Sequence, residues 1–215
     1  MSSTRPSPMP YRREPSRFRT MLNPNSWTGA LVLMVLFAVV LWAIQGISSQ
    51  HSLIRYGLQP RHLAGLRGVV TEPFLDRDWH HVFSNTVPVI LIGWVVLLAG
   101  VRTWAIVTGV VVVGGGLLTW LVAPSDQVIV GASAMVFGWL GYLLARAVFS
   151  REVKWIIVAV LVLFFFGTLL FGLIPALHSG VSWQAHACGF AAGVGAAALL
   201  HHPRGGPGVL HRPVS

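Results

Sequence analysis

The stretch that decides the fold is VIVGASAMVFGWLGYLLARAV, residues 128–148. It is long and apolar enough for a membrane-spanning helix, which needs about 20 mostly apolar residues. It opens on a turn of small residues that carries one hydroxyl, Ser133, between Gly131 and Ala134. Alone, such a serine usually bonds a carbonyl one turn back or helps a neighbouring helix to pack. Its role therefore depends on which polar groups other helices bring to the same depth.

The whole chain is apolar in the same way. Of its 215 residues, 54% are hydrophobic and 10% are charged, and the mean hydropathy is +0.70. These values are typical of a polytopic membrane protein and exclude an ordinary soluble domain. The single cysteine, Cys188, excludes an intrachain disulfide and a cysteine-built metal site. The net charge of +9 lies in tails and loops, which indicates contact with anionic lipid rather than nucleic acid.

Six apolar segments have the length of a membrane span, which predicts an all-α membrane protein. They lie at about 27–47, 82–101, 104–122, 130–149, 155–174 and 183–200. Several of them begin with tryptophan, for example Trp27 and Trp155, as helices anchored at a membrane interface do. A long segment, 48–80, separates the first two spans, and we expect it to hold short helices at the interface.

The basic residues predict the orientation of these spans. An even number of spans places both termini on one side, and that side holds eleven of the fifteen lysines and arginines. The positive-inside rule then places both termini in the cytoplasm and segment 48–80 outside. Residues 1–26 are predicted to be a disordered basic tail, and residues 201–215 a flexible one. The arginine-rich leader could also suggest an organelle import signal, but we favour a bacterial plasma membrane.

Three spans begin with polar side chains at one predicted depth. The second begins HHVFSN, with His81 and Asn85, the fourth carries Ser133, and the sixth begins SWQAH, with His186. Even-numbered spans all run from outside to inside. Each polar group therefore lies within a turn or two of the outer end of its helix, at about 1.5 Å per residue.

These residue types suit attack on a carbonyl carbon. The helix N-terminus at Ser133 offers free backbone N–H groups and the positive end of the helix dipole to a developing oxyanion. His81 and Asn85 are four residues apart, so they share one helix face and can donate to one point. His186 can take the serine proton and return it to the leaving amine. No acid is placed by the sequence to orient His186, which predicts a two-member Ser–His pair.

Small residues predict how that pair would meet. Gly189 and Gly193 form a GxxxG step after His186. The fourth span carries a matching strip, formed by Ala134, Gly138 and Gly141. Such faces let two helices approach closely, so we expect the fourth and sixth spans to pack against each other.

The motifs, taken in order, resemble those of the rhomboid family of intramembrane serine proteases. LRGVVT at 66–71 resembles the family's first-loop stretch, and DWHHVFSN resembles its histidine–asparagine motif. GASAMVFGWLGYLLAR resembles the GxSG segment of the nucleophile, and SWQAHACGFAAGV resembles the AHxxGxxxG helix. The resemblance covers about residues 55–200. A GxS motif alone would be weak, whereas four motifs in order on the expected spans are specific.

The resemblance implies a six-transmembrane-helix rhomboid-like bundle with Ser133 as nucleophile and His186 as general base. It implies that His81, Asn85 and the Ser133 backbone N–H donate to the oxyanion. Small residues beside these groups are expected to contact substrate or to pack the site, namely Gly131, Ala132, Ala134, Gly189 and Gly193.

The resemblance also implies the substrates. They would be single-span membrane proteins, cut in or near the outer part of the transmembrane segment. The fifth span would be a candidate lateral gate, and neither a cofactor nor a metal would be needed. Adjacent histidines such as His80 and His81 point about 100° apart on a helix and are poor chelators.

Three positions depart from the family pattern. Ala134 stands where glycine is usual, and its methyl group could crowd the oxyanion site or stiffen the turn. Asp76 stands where many members carry an additional histidine, and Leu66 stands where tryptophan is usual. None of the three departures removes a reacting group.

Two other functions compete with proteolysis. A catalytically silent rhomboid-like protein would bind membrane clients without cutting them, with Ala134 as the lesion. A small transporter would place polar residues at mid-membrane and could repeat between its halves. The polar residues here cluster near one face, and the halves show no evident repeat.

Overall fold

The fold is built from helices, as the composition predicts. The computed structural model describes residues 23–175 and 182–201, and every regular element within these ranges is helical. Six long helices follow the order of the predicted spans. They are α1 Trp27–His51, α2 Trp79–Leu97, α3 Val101–Val122, α4 Ser133–Ser150, α5 Val153–Leu173 and α6 Trp183–His201. Apart from 23–26 and His201, the predicted tails lie outside the described residues.

Five of these helices are long and apolar enough to cross a membrane, and they are α1 to α5. Helix α6 has 19 residues but is not one of the five. Its many alanines and glycines, with Gln184 and His186 near its start, make it less apolar than the others. The six-span count therefore depends on accepting α6, which is rich in small residues, as a spanning helix.

Local sequence signals fix several helix ends. The Ser26 hydroxyl accepts the Gly29 N–H at 3.0 Å and begins α1, and the Asp78 carboxylate accepts the His81 N–H at 2.8 Å and begins α2. The predicted end of the second span at residue 101 is wrong. Helix α2 ends at Leu97, because Gly100 adopts a φ of +105° and turns the chain into α3.

The bundle is organised around α4. In its apolar window 67% of the residues are buried, compared with 11% in α5. Helix α5 instead exposes large apolar side chains such as Phe164, Phe165 and Phe171. A helix that is apolar all round and exposed suits a lipid-facing position.

Helices α4 and α6 touch backbone to backbone. Gly189 lies against the Ala134 carbonyl and Gly193 against the Gly138 carbonyl, so closely that a methyl group at either glycine would overlap the oxygen. From the other side of the contact, Gly141 of α4 lies against the Phe190 carbonyl of α6. The predicted packing of these two helices through small residues is thus present.

The segment between α1 and α2 consists of four short helical turns, namely Leu53–Tyr56, Leu63–Arg67, Gly68–Thr71 and Glu72–Phe74. It is tied to the chain before α4 by an antiparallel bridge. The N–H of Leu58 donates to the Ile129 carbonyl and the N–H of Ile129 donates to the Leu58 carbonyl, each at 2.9 Å. This bridge holds the segment beside the start of α4.

The glycine contacts make a testable prediction about stability. We expect Gly193→Ala to lower the thermal unfolding temperature in detergent micelles, because overpacking of this kind costs about 1–3 kcal/mol. The matched control is Gly195→Ala on the same helix, where an added methyl group meets nothing within 4 Å. Alanine favours a helix over glycine, so the control should leave stability unchanged or raise it. Equal stability of the two variants would contradict the packing described here.

Candidate active site

Ser133 is the first residue of α4, and the chain reaches it through a turn that glycine permits. Gly131 has a φ of +135°, and its N–H donates to the Glu72 carbonyl at 3.0 Å. Because the first N–H groups of a helix have no partner within it, the backbone at Ser133 offers donors beside the hydroxyl. The fourth helix begins at Ser133 and not at the predicted residue 130, which places the serine at the helix start itself.

His186, near the start of α6, reaches the serine directly. Its Nε2 lies 2.9 Å from the Ser133 Oγ, and its Nδ1 lies 3.0 Å from the Gly172 carbonyl oxygen in α5. A carbonyl can only accept, so Nδ1 carries a proton, and in the neutral ring Nε2 is then the acceptor for the serine proton. This is the tautomer that a general base for Ser133 requires.

The ring of His186 is fixed by two further groups that the sequence did not identify. Phe137, one turn into α4, stacks on it with centroids 4.2 Å apart and an interplanar angle of 12°. A methyl group at Gly172 would come within 2.9 Å of Phe137 and 3.1 Å of His186 Nδ1. The glycine therefore allows α5 to bring its carbonyl to the ring. No spacing rule links Gly172 to His186, so only the fold reveals this contact.

His81 and Asn85 lie one turn apart on α2, as predicted, and both face the start of α4. A methyl group placed on Gly131 would lie 2.7 Å from His81 Cε1 and 3.5 Å from Ser133 Oγ, so the imidazole and the hydroxyl flank the same glycine. Asn85 is buried and lines a cleft together with Ser133 and His186. The three polar helix starts therefore converge.

The side chain of Asp76 contacts both His81 and Asn85. Its Oδ1 accepts a hydrogen bond from Asn85 Nδ2 at 3.2 Å and lies 3.1 Å from His81 Nδ1, in an ion-pair contact rather than a well-aligned hydrogen bond. The carboxyl group is buried. Desolvation by burial raises the pKa of Asp76 to about 7, with Asp78 also raising it and the Asn85 hydrogen bond lowering it. The sequence had suggested only a substitution of minor weight at this position.

The small residues predicted at the site have distinct places. Ala132 is fully buried before Ser133, and Gly131 and Ala134 line the cleft that contains the serine. Gly189 and Gly193 do not line that cleft but form the α4–α6 contact below it. The Ala134 side chain is accommodated at the cleft wall, because Gly189 meets its carbonyl and not its methyl group.

Two clefts meet at the Ser133–His186 pair. One, of about 310 Å³, is lined by the chain before α4 and by Arg77, Ser182 and Ala185. The other, of about 370 Å³, is lined by α2 and by the end of α5, including Thr168 and Leu169. Both include His81, Ser133 and His186, so the pair is reachable from two sides. In the described ranges, no three His, Cys, Asp or Glu side chains cluster as metal ligands.

The fold and this site define a class: a helical integral membrane protein, multi-pass, with a serine–histidine contact at the start of a central helix. The Rhomboid domain family matches residues 63–203, and the chain belongs to the rhomboid family. Uncharacterized protein Rv1337 of Mycobacterium tuberculosis is 36% identical over 211 residues, covering 93% of this chain and 85% of its own length. Uncharacterized protein ML1171 of Mycobacterium leprae is 36% identical over 188 residues, covering 82% and 74%.

A second buried acid lies in the segment before α2. Glu72 presents its backbone carbonyl to Gly131, while the residue is 3% exposed and its Oε2 has no hydrogen-bond partner among the described residues. Desolvation by burial raises the pKa of Glu72 to about 8. The carboxyl is therefore protonated near neutral pH, which removes the cost of burying a charge.

This protonation makes stability depend on pH with a definite sign. The folded protein holds the Glu72 proton up to about pH 8, whereas a carboxyl at its ordinary value of 4.5 has released it. Between these values the unfolded state binds fewer protons, so stability falls as pH rises. We expect Glu72→Gln to flatten the fall of the unfolding temperature between pH 5 and pH 8, approximately the window given by the two values.

The matched control for this prediction is Asp126→Asn, which removes an exposed acid. It should keep the pH dependence of the wild type. Parallel curves for wild type and Glu72→Gln would mean that the carboxyl is charged in the folded protein, against the expectation.

Proposed function

We propose that this protein is a serine endopeptidase of the rhomboid type that cleaves single-span membrane proteins in or near the outer part of their transmembrane segment. The observation that carries the proposal is the 2.9 Å contact between Ser133 Oγ and His186 Nε2, in a cleft at the start of a central helix. A serine hydroxyl is a weak nucleophile until an adjacent base takes its proton. This contact is the geometry that such activation needs.

The reaction follows from the protonation of His186. Ser133 Oγ attacks the scissile carbonyl carbon while Nε2 takes its proton, which leaves an imidazolium with Nδ1–H still directed at the Gly172 carbonyl. The tetrahedral intermediate collapses as the C–N bond breaks and Nε2–H protonates the leaving amine. Water then attacks the acyl ester by the same route and restores the free serine.

The oxyanion has donors on two sides. The backbone N–H of Ser133 belongs to a helix N-terminus, and His81 Nε2 and the Asn85 amide come from the facing side of α2. Donors fixed before the reaction lower the barrier more than donors that must reorganise, and removing one typically costs about 10²–10³ in kcat. In this proposal α2 and α4 are the two halves of one oxyanion site.

The topology in this proposal places the site near the outer face of the membrane. Both termini are cytoplasmic, the segment between α1 and α2 is outside, and a bacterial plasma membrane is the setting. Water reaches Ser133 through the clefts at the outer ends of the even helices, where backbone and side chains are polar. The partners are transmembrane protein substrates and membrane lipid, with no nucleic acid and no cofactor.

The first prediction from this proposal concerns the Ser–His pair. Purified protein in lipid vesicles is expected to cleave members of a panel of fluorescent single-span substrates. Ser133→Ala and His186→Ala should each lower cleavage by about a thousandfold or more, because either change removes the activated nucleophile. The matched controls are Ser150→Ala and His201→Ala, at the other ends of the same two helices. Full cleavage by Ser133→Ala would rule out the proposed nucleophile.

The second prediction separates the protease from a silent binding protein, which Ala134 in place of the usual glycine would favour. A fluorophosphonate probe should label wild type at Ser133 and leave His186→Ala unlabelled, because labelling needs an activated serine and not the natural substrate. Labelling of Ala134→Gly alone would support the silent protein instead. Mass spectrometry of the labelled peptide identifies the modified residue.

A further inference from the structure

Within residues 23–175 and 182–201, Asp76 is the carboxyl group that contacts both His81 and Asn85, the proposed side-chain donors of the oxyanion site. One of its oxygens, Oδ1, accepts from Asn85 Nδ2 and lies against His81 Nδ1. The side chain of Asp76 is 1% exposed, and that of His81 is 20% exposed. The imidazole therefore has its Nδ1 toward the buried acid, while its other edge lies beside Gly131 and Ser133.

This contact decides what His81 Nε2 can do. A neutral imidazole has one N–H, and a bare carboxylate beside Nδ1 would draw that proton to Nδ1 and leave Nε2 as an acceptor. Nε2 carries a proton only if a second proton is present in the pair. That second proton resides either on Nδ1, facing the carboxylate, or on the carboxyl, facing Nδ1. In both cases Nε2–H is a donor.

We propose that Asp76 is a positioning residue of the oxyanion site, which holds the His81 and Asn85 side chains through one oxygen and keeps a proton on His81 Nε2. The inference rests on the proposed function for its catalytic meaning. It does not rest on it for the protonation of His81, which can be measured without any substrate.

The charges around the pair act in opposite senses, so the contact of Asp76 Oδ1 with His81 Nδ1 carries the argument. Arg77, Asp78 and His80 flank it along the chain, and Arg77 and Asp78 act on His81 in opposite senses. Glu72, also in the segment before α2, is protonated near neutral pH, and His186 faces the cleft from α6. With the pKa of Asp76 near 7, the carboxyl holds or releases its proton in the working pH range.

The variant Asp76→Asn should separate the two roles of the acid. The shared oxygen can stay with Asn85 only if the amide oxygen occupies its place, and that oxygen then accepts from His81 Nδ1–H. The neutral ring is left with Nε2 unprotonated, and no negative charge remains to favour the imidazolium. Asp76→Asn should therefore lose the Nε2 proton at lower pH than wild type.

The direct test is ¹⁵N NMR of histidine-labelled protein in micelles, with the His81 signals identified by their loss in His81→Gln. We expect the Nε2 proton of His81 to be lost at a pH about one unit or more lower in Asp76→Asn than in wild type, as for removal of an adjacent opposite charge. Asp78→Asn is the matched control, because it removes a neighbouring acid that also acts on His81 and keeps the helix-capping oxygen, and it should move the His81 titration less than Asp76→Asn does. Titration of His81 at the same pH in wild type and Asp76→Asn would overturn the proposal.

The kinetic test uses the vesicle assay. Asp76→Asn should lower kcat roughly 10–100-fold at pH 8 with KM little changed, and should shift the basic limb of the pH profile to lower pH. Asp76→Glu, which keeps the acid, should retain the basic limb of the wild type. If the thermal transition shows that Asp76→Asn is unfolded, the NMR titration of His81 is compared between Asp76→Glu and wild type. A shift of about one pH unit between these two proteins would count against the proposal. Absence of both cleavage and probe labelling at Ser133 in wild type would reject the proposed function and leave the NMR result to decide the role of Asp76.

Discussion

The close contact of α4 and α6 is the constraint on which the rest of the structure depends. Two helices can approach until carbonyl oxygens meet Cα atoms only where side chains are absent, and here glycines provide three such points, Gly189, Gly193 and Gly141. At this separation the imidazole of His186 spans the gap to Ser133 with a single hydrogen bond. A wider spacing would require a water or a longer side chain between them. The same packing buries α4, so its N-terminus is held rigidly rather than left at a frayed end.

A second layer of contacts sets the orientation of the reacting groups. Helix α5 is otherwise the most exposed of the long apolar helices, yet its last turns bring the Gly172 carbonyl to His186 Nδ1. Phe137 stacks on the ring of His186 and so fixes the plane of the imidazole. The tautomer of the proposed base therefore depends on a helix with little packing of its own. Movement of α5 away from α6 would remove the carbonyl that accepts the Nδ1 proton of His186.

The segment between α1 and α2 contributes through two buried acids. Glu72 supports the turn at Gly131 with its backbone, and the side chain of Asp76 contacts His81 and Asn85 on α2. Buried carboxyls are costly unless they are neutral or paired, and these two meet that requirement differently. Glu72 is protonated, whereas Asp76 has two polar neighbours on one oxygen. Neither Glu72 nor Asp76 is one of the proposed reacting residues, yet both contact the elements that hold them.

The sequence by itself determined much of this protein. Hydropathy gave the helices, and the spacing of His81 and Asn85 on one face, with the GxxxG step after His186, predicted which polar groups would meet and how. These are properties of single helices with fixed rise and period, so they can be counted along the chain. The roles of Gly172, Phe137 and Asp76 could not be predicted from a helical period. Each acts across a contact between elements that no local period relates. Tertiary packing alone decided them, because a hydrogen bond is lost within a few tenths of an ångström, and helical periodicity does not fix distances between helices.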